Sequence, residues 1–600
     1  TGVQTCALPI YKGKAYKSYA IAESYRDGDK VKKRILFKIG KLSDAQAEKI
    51  RMICKAAKDE EQFLTRLDDI VVKETKAYLD IAVVNELWNQ LQMDAAFTRA
   101  SSESILPTPL VARILTINRC LDPCSHYSIP QWIRSNALQE ILKLDLSALN
   151  DDKLYYELDK IHFNQTAVED HIFNLTYEQD PDSYRFIDYD LTTSYFVGHR
   201  CELSAFGKGK AECHGRKQVL LGVLINNQGY PFKWDVYPGN TAEVSTLKQN
   251  VDACKNRFHL NEQNVTLVFD RGIISEENVD IIEEAGLKYI SALDKNQIPT
   301  SGIDLAPFAN LKDIPAVDET ADIPAPKGFK RYDASLFFKD AGVVNQKRTI
   351  IGFNPQLFVD ERNHRNFKLN QFEAYLETEN QNLKNAQKSR KEDTTRIRVI
   401  NELKRLKIKK YYHDPVLTPL PVTRRKKDGT TRVVNSFQIA IDRKTDIIEN
   451  EKQIDGVCVF ITNHTEKVSR GYKTSPSSII KAYRDKTKIE DVFKNVKSFL
   501  KIRPFHVNTD IHVRAVYTIC VIAYFINRYL ANQRKALGEK DFLNSKELYA
   551  PFRHIDIAVL EDRHNKQTTT KASQLPDETR QLIERLGMGH ILWPGPQGKM

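Results

Sequence analysis

The sequence predicts an α/β fold, and three observations carry that expectation. Between residues 185 and 292 the segments read strand, strand, strand, helix, strand, helix, strand. The run Val265-Thr-Leu-Val-Phe269 is short and apolar, as a strand covered on both faces should be. Two such segments end in an aspartate, Asp190 and Asp270, where the carboxyl ends of strands gather ligands.

Each element has a local reason. Tyr16 to Tyr25 and Val31 to Ile39 are β-rich and flank Asp27-Gly28-Asp29, a hairpin signal. A polar, helix-favouring stretch runs from Ser43 to about Leu67. Residues 76 to 175 read as helical, with Ile81, Val84, Leu87, Trp88 and Leu91 at helical spacing. Arg185 to Thr192 reads as a strand. Val219 to Ile225 and Tyr230 to Val236 are two more, joined by the turn Asn226-Asn227-Gln228-Gly229. Helices at Leu247–Phe258 and Glu276–Ala285 alternate with strands at Val265–Phe269 and Tyr289–Ala292. That order is the order of a ribonuclease H-like fold.

Residues 295 to about 450 interrupt it. Pro299, Pro307, Pro315, Pro324 and Pro326 mark a long loop, followed by short β runs and a charged helical region from about Gln371 to Lys410. Helix resumes from Ser478 through Leu500 and from Thr509 to Leu530. The expected division is 1–10, 11–70 (hairpin plus helix), 71–180 (helical), 181–295 and 476–535 (the α/β core in two parts), 296–475 (an insertion) and 536–600. The first ten residues resemble the translation of a sequencing-library adapter and are set apart from the fold.

The chain's 600 residues exceed one core, and two to four domains are expected. Its 90 Lys and Arg against 78 Asp and Glu leave a net charge of +12, which favours a polyanionic partner. No run of 18 apolar residues suggests a membrane span, and Ala515 to Ile526 reads as a core helix. Nine scattered cysteines imply reduced thiols rather than a disulfide framework.

Chemistry concentrates in Tyr483 to Lys497. On one continuous helix Tyr483, Lys486, Glu490 and Lys497 point within about 60° of one another. Asp485 and Asp491 lie about 100° or more from Glu490. Asp188 competes with Asp190, because both occupy the same strand face. Three carboxylates converging from two strands and a helix suit hard divalent ions, which can clamp the attacking and leaving oxygens of a phosphoryl transfer.

Those residues carry a resemblance. The chain is similar to the DDE transposases of bacterial insertion sequences whose third motif reads Tyr-x2-Arg-x3-Glu-x6-Lys, here Tyr483, Lys486, Glu490 and Lys497. Tyr189-Asp190-Leu-Thr-Thr193 resembles the first acidic motif, and Val268-Phe269-Asp270-Arg271-Gly272 the second. Pro238-Gly239-Asn240-Thr241 and Ile502-Arg503-Pro504 also match. The resemblance implies a ribonuclease H-like core interrupted by a β-rich insertion domain, with a mainly helical N-terminal DNA-binding region. It implies Asp190, Asp270 and Glu490 as catalytic ligands of two Mg²⁺ or Mn²⁺ ions, and Tyr483, Lys486, Lys497, Arg271 and Arg503 as DNA contacts. It further implies terminal inverted repeats and target DNA as partners, a homodimer, and a place in the bacterial cytoplasm at the nucleoid. Water would cut the element's end, and the freed 3′-hydroxyl would attack target DNA. The chain departs from the motif at Lys486, which keeps the charge but not the guanidinium fork, and at Thr487, where many members carry Trp.

Overall fold

The computed structural model describes residues 2–7, 17–56, 65–97, 106–197, 200–207, 215–260, 265–309, 311, 326–494, 507–540, 542 and 544–593. Contacts divide the chain into two units, residues 84–130 with 148–550, and residues 1–83 with 131–147 and 551–600.

The larger unit is built on one nine-stranded sheet. Its core strands are β1 (Phe186–Tyr195), β2 (Gln218–Asn226), β3 (Pro231–Pro238), β4 (Thr266–Phe269) and β5 (Lys288–Ala292). They lie in the order β3-β2-β1-β4-β5. β1 to β3 are antiparallel, and β4 runs parallel to both β1 and β5. Helices α1 (Leu247–Asn256) and α2 (Glu276–Glu284) connect the parallel part. This arrangement is consistent with a ribonuclease H-like core.

Four more strands extend the same sheet: the two-residue edge strand Lys330–Arg331, β6 (Phe337–Val344), β7 (Lys347–Phe353) and β8 (Val457–Thr462), with β8 antiparallel to β5. The stretch expected to be an inserted β-rich domain therefore gives strands to the core sheet itself. Its longest element is a helix, α3 (Pro355–Lys384), followed by α4 (Glu392–Arg405). These helices have their own apolar cluster, including Leu369, Phe372, Val399 and Leu403.

Period-two alternation assigns each face of the sheet. Ile187, Tyr189, Leu191, Leu267 and Phe269 pack with Val251 of α1 and Ile282 of α2. Val268, Ile290 and Phe460 face the other way, against Ile479 and Ile480 of α5 (Pro476–Asp485). The start of α5 is fixed locally. Ser475 Oγ accepts from Ser478 N at 3.1 Å, and Pro476 fills the first helical position, where no amide donor is needed.

The helix α7 (Asp510–Ala536) has the length and apolar composition of a membrane span, with 78% of its most apolar window buried. It packs on β3 and on helices Thr108–Leu121 and Asp151–Phe163. Trp234 Nε1 donates to its Thr518 Oγ1 at 3.0 Å. Its apolar surface is spent on the protein core.

The smaller unit holds two sheets. The hairpin of Lys17–Asp27 and Lys30–Gly40 turns at Gly28 with φ of +60°, and Gly2–Ala7 pairs along its first strand, which is thereby the central one. Ser43 and Gln46 exchange hydrogen bonds at the start of helix Asp44–Ala56, Ser43 N donating to Gln46 Oε1 at 2.9 Å and Gln46 N to Ser43 Oγ at 3.1 Å. Strand Ile70–Ala77 pairs with Asp556–Asp562, which pairs with Thr568–Ala572. The region expected to be helical, 71–180, opens instead on this strand, whose partners lie almost 500 residues away.

A buried histidine joins β4 to the segment before α5. His464 hydrogen-bonds Thr266 Oγ1 at 2.9 Å and Thr474 Oγ1 at 3.1 Å. Burial is the main cause holding its imidazole down, to about 4. Because the folded value lies below the unfolded one, the unfolded chain takes the proton first as pH falls. The stabilisation is complete above about pH 6.5 and is lost toward pH 4. His464→Gln is expected to reduce the stability lost between pH 7 and pH 5 by about 2 kcal/mol, read by thermal unfolding at the two pH values. An unchanged pH slope in that variant contradicts it.

Candidate active site

The parallel register sets two carboxylates side by side. Asp188 pairs with Val268 and Tyr189 with Phe269, so one step further Asp190 lies level with Asp270. Both lie on the face that α5 covers. Asp188 shares this face one pair deeper and is only 4% exposed, whereas Asp190 is half-buried. The position at the strand end is thus the accessible one.

Asp270 also caps the short turn Arg271–Ile273, its Oδ1 accepting from Arg271 N at 2.8 Å. Lys486 Nζ stands 3.1 Å from the same oxygen, and Tyr483 Oη donates to it at 3.4 Å. Lys486 is buried, and its ammonium lies 5.5 Å from the centroid of the Tyr483 ring. Tyr483 stands edge-on to Phe460, and burial raises its hydroxyl above the usual phenol range.

The two acids are held differently. Burial pushes the Asp190 carboxyl up to about 6, with Lys486 opposing the rise and the charges of Asp270 and Glu243 adding to it. Burial also raises Asp270, but Lys486 and the Arg271 amide outweigh it, leaving this carboxyl below its usual value. Lys486 therefore acts on both acids but contacts only Asp270 directly.

The third acid occupies a second helix. The expected continuous helix is divided: α5 ends at Asp485, Lys486 forms the turn, and α6 (Thr487–Lys494) begins a new segment. Lys486 itself keeps right-handed helical dihedrals, with φ of −55° and ψ of −19°. α6 packs against β1, burying Ile489, Val492 and Phe493, and Glu490 is exposed on it. Among the described residues no contact joins Glu490 to Asp190 or Asp270, and no three His, Cys, Asp or Glu side chains converge as ligands. Asp485 is engaged by Lys481 at 2.6 Å. Lys497 and Arg503 lie outside the described residues, as does the side chain of Asp491.

Other expected contacts divide in the same way. Arg271 is exposed, with Nε 3.4 Å from Asp294 Oδ1. Trp234 is buried in the core. Arg484 lies two residues before the lysine that replaces the motif's arginine, but pairs with Asp333 and donates to Ser335 Oγ at 2.7 Å.

Glu243 had not been singled out from sequence. It begins the turn Glu243–Thr246, which Tyr189 ties to β1 by donating to Thr246 Oγ1 at 2.8 Å. A β-carbon at Gly272 would stand 3.0 Å from Glu243 Oε2, so glycine leaves room for this carboxylate beside the Asp270 turn. The available signal was its position two residues after Pro238-Gly239-Asn240-Thr241.

A family model described as transposase DDE domain matches residues 181–526. Another, described as IS1634 family transposase, N-terminal domain, matches residues 10–68. No curated protein matches. Among solved structures, a piggyBac transposase synaptic complex with hairpin DNA is similar at 8% identity and TM-score 0.31, over 87% of this chain and 84% of that chain. A pre-cleavage Mos1 transpososome is similar at 11% identity and TM-score 0.14, over 28% of this chain and 60% of that chain.

Proposed function

Because the chain belongs to the transposase DDE domain family, we propose that it moves an insertion sequence, cutting the element's ends and joining the freed 3′-hydroxyls to target DNA. The juxtaposition of Asp190 and Asp270 at adjacent strand ends carries this reading. The N-terminal match supports assignment to an insertion-sequence enzyme.

The donor set fits hard divalent cations: two carboxylates stand together, and Asp190 feels the charge of both Asp270 and Glu243. Asp190, Asp270 and Glu490 would hold two Mg²⁺ or Mn²⁺ ions, which supply charge to the attacking and leaving oxygens. Asp190 presents its carboxylate from β1, and Asp270 presents its own from a capped turn that fixes its direction. Tyr483 and Lys486 position Asp270 from one side, and Lys486 brings a cation to where phosphate would lie. Arg271, with Lys497 and Arg503, completes the proposed DNA contacts. Terminal inverted repeats and target DNA are the proposed partners, met by a homodimer at the bacterial nucleoid.

Short inverted repeats bracketing the gene would supply the substrate. With a duplex ending in that repeat, Mg²⁺ and a supercoiled target, the chain is expected to yield strand-transfer products as well as nicks. Nicking without joining would make it a nuclease on the same fold.

A further inference from the structure

The stretch from the end of α3 to the start of α4 contains Lys384, Lys388, Arg390 and Lys391 and no acid. The hairpin of Val422–Arg425 and Thr431–Val434 contains Arg424, Arg425, Lys426, Lys427 and Arg432, with Asp428 at its tip. The fold ties these segments edge to edge. Arg424 Nε donates to Ala386 O at 3.1 Å, and its Nη2 donates to Lys384 O at 2.8 Å. Arg432 donates to Gln387 O, and Arg390 N donates to Asn435 O at 2.9 Å. Asp428, itself exposed, is held in the turn, accepting from Thr430 N at 3.0 Å and Thr430 Oγ1 at 2.7 Å.

The two segments together carry nine cations and one acid, all exposed except the half-buried Arg424, and Glu392 and Asp393 follow at the start of α4. Among the described residues, none of Lys388, Lys391, Arg425, Lys426 or Lys427 has an acidic partner. Two arginines spend their donors on backbone carbonyls that hold the other cations together. Such crowding of like charge is unfavourable by itself and is relieved by a polyanion. Duplex DNA presents about one charge per 1.7 Å of axis. We propose that this surface grips the phosphate backbone of duplex DNA without regard to base sequence. The proposal rests on the reading of the chain as a DNA-processing enzyme.

The test is fluorescence anisotropy of the full chain on a repeat-free duplex across a salt series. Arg425→Glu with Lys426→Glu and Lys427→Glu should lower the slope of log K against log salt by about 2–3, near 0.9 per lost phosphate contact. Lys388→Glu with Lys391→Glu, on the other segment, should lower it by about 1–2. Slopes unchanged in both variants overturn the proposal, as does an equal fall in Lys540→Glu with Lys546→Glu, exposed lysines away from the patch. Wild-type strand transfer alongside unchanged slopes would reject the patch alone, whereas no wild-type binding to any duplex would reject the functional reading.

Discussion

Glu490→Gln is expected to cut strand cleavage by about a thousandfold, some 4 kcal/mol in the barrier, while leaving the melting temperature almost unmoved. Both halves follow from its position. Glu490 is exposed on α6, and among the described residues its carboxylate has no contact whose loss would unsettle the fold. Exposed substitutions of that kind usually shift stability by within about 0.5 kcal/mol. The helix itself is secured by Ile489, Val492 and Phe493, which the substitution leaves intact. If Glu490→Gln retained wild-type cleavage of an element-end duplex in Mg²⁺, Glu490 would leave the acidic set. Asp485 would be a poor successor because Lys481 already holds it.

The sequence carried the core strands because each has a period or an apolar run that burial alone explains. Val265 to Phe269 is apolar on both sides since the helices α1 and α2 cover one face and α5 the other. The level placement of Asp190 and Asp270 depends on strand register, and the sequence left Asp188 in competition with Asp190. The pairing of Tyr189 with Phe269 puts Asp190 at the exposed end. Two features were illegible for a physical reason. β6 and β7 form a local hairpin, but their joining to the core sheet goes through β8, whose pairings with β7 and β5 cross about a hundred residues or more and leave no local signal. The turn at Lys486 coincides with its ion pair to Asp270, a tertiary contact that periodicity does not encode.

The second large effect is a contrast between neighbouring acids. Asp190→Asn and Asp270→Asn are both expected to abolish cleavage, yet to move stability in opposite directions. Asp190 is half-buried, and its negative charge is opposed by burial and by the charges of Asp270 and Glu243. Removing that charge should stabilise the protein by about 1–2 kcal/mol at neutral pH, a site where function is kept at the expense of stability. Asp270 is the partner of Lys486, whose side chain is only 9% exposed while that of Asp270 is 45% exposed. Taking away the carboxylate leaves a buried ammonium without its anion, a loss that full burial would put at about 3–5 kcal/mol. Solvent around Asp270 screens the pair, and a loss of about 1–2 kcal/mol is the expected result. Chemical denaturation of the two variants in chelator should therefore move their midpoints to opposite sides of the wild type. A destabilised Asp190→Asn would mean that an attractive contact outweighs the charge repulsion at β1. A neutral Asp270→Asn would mean that Lys486 reaches solvent or another acceptor once its partner is gone. Either result would revise the unequal sharing of Lys486 between the two carboxylates, on which the contrast depends.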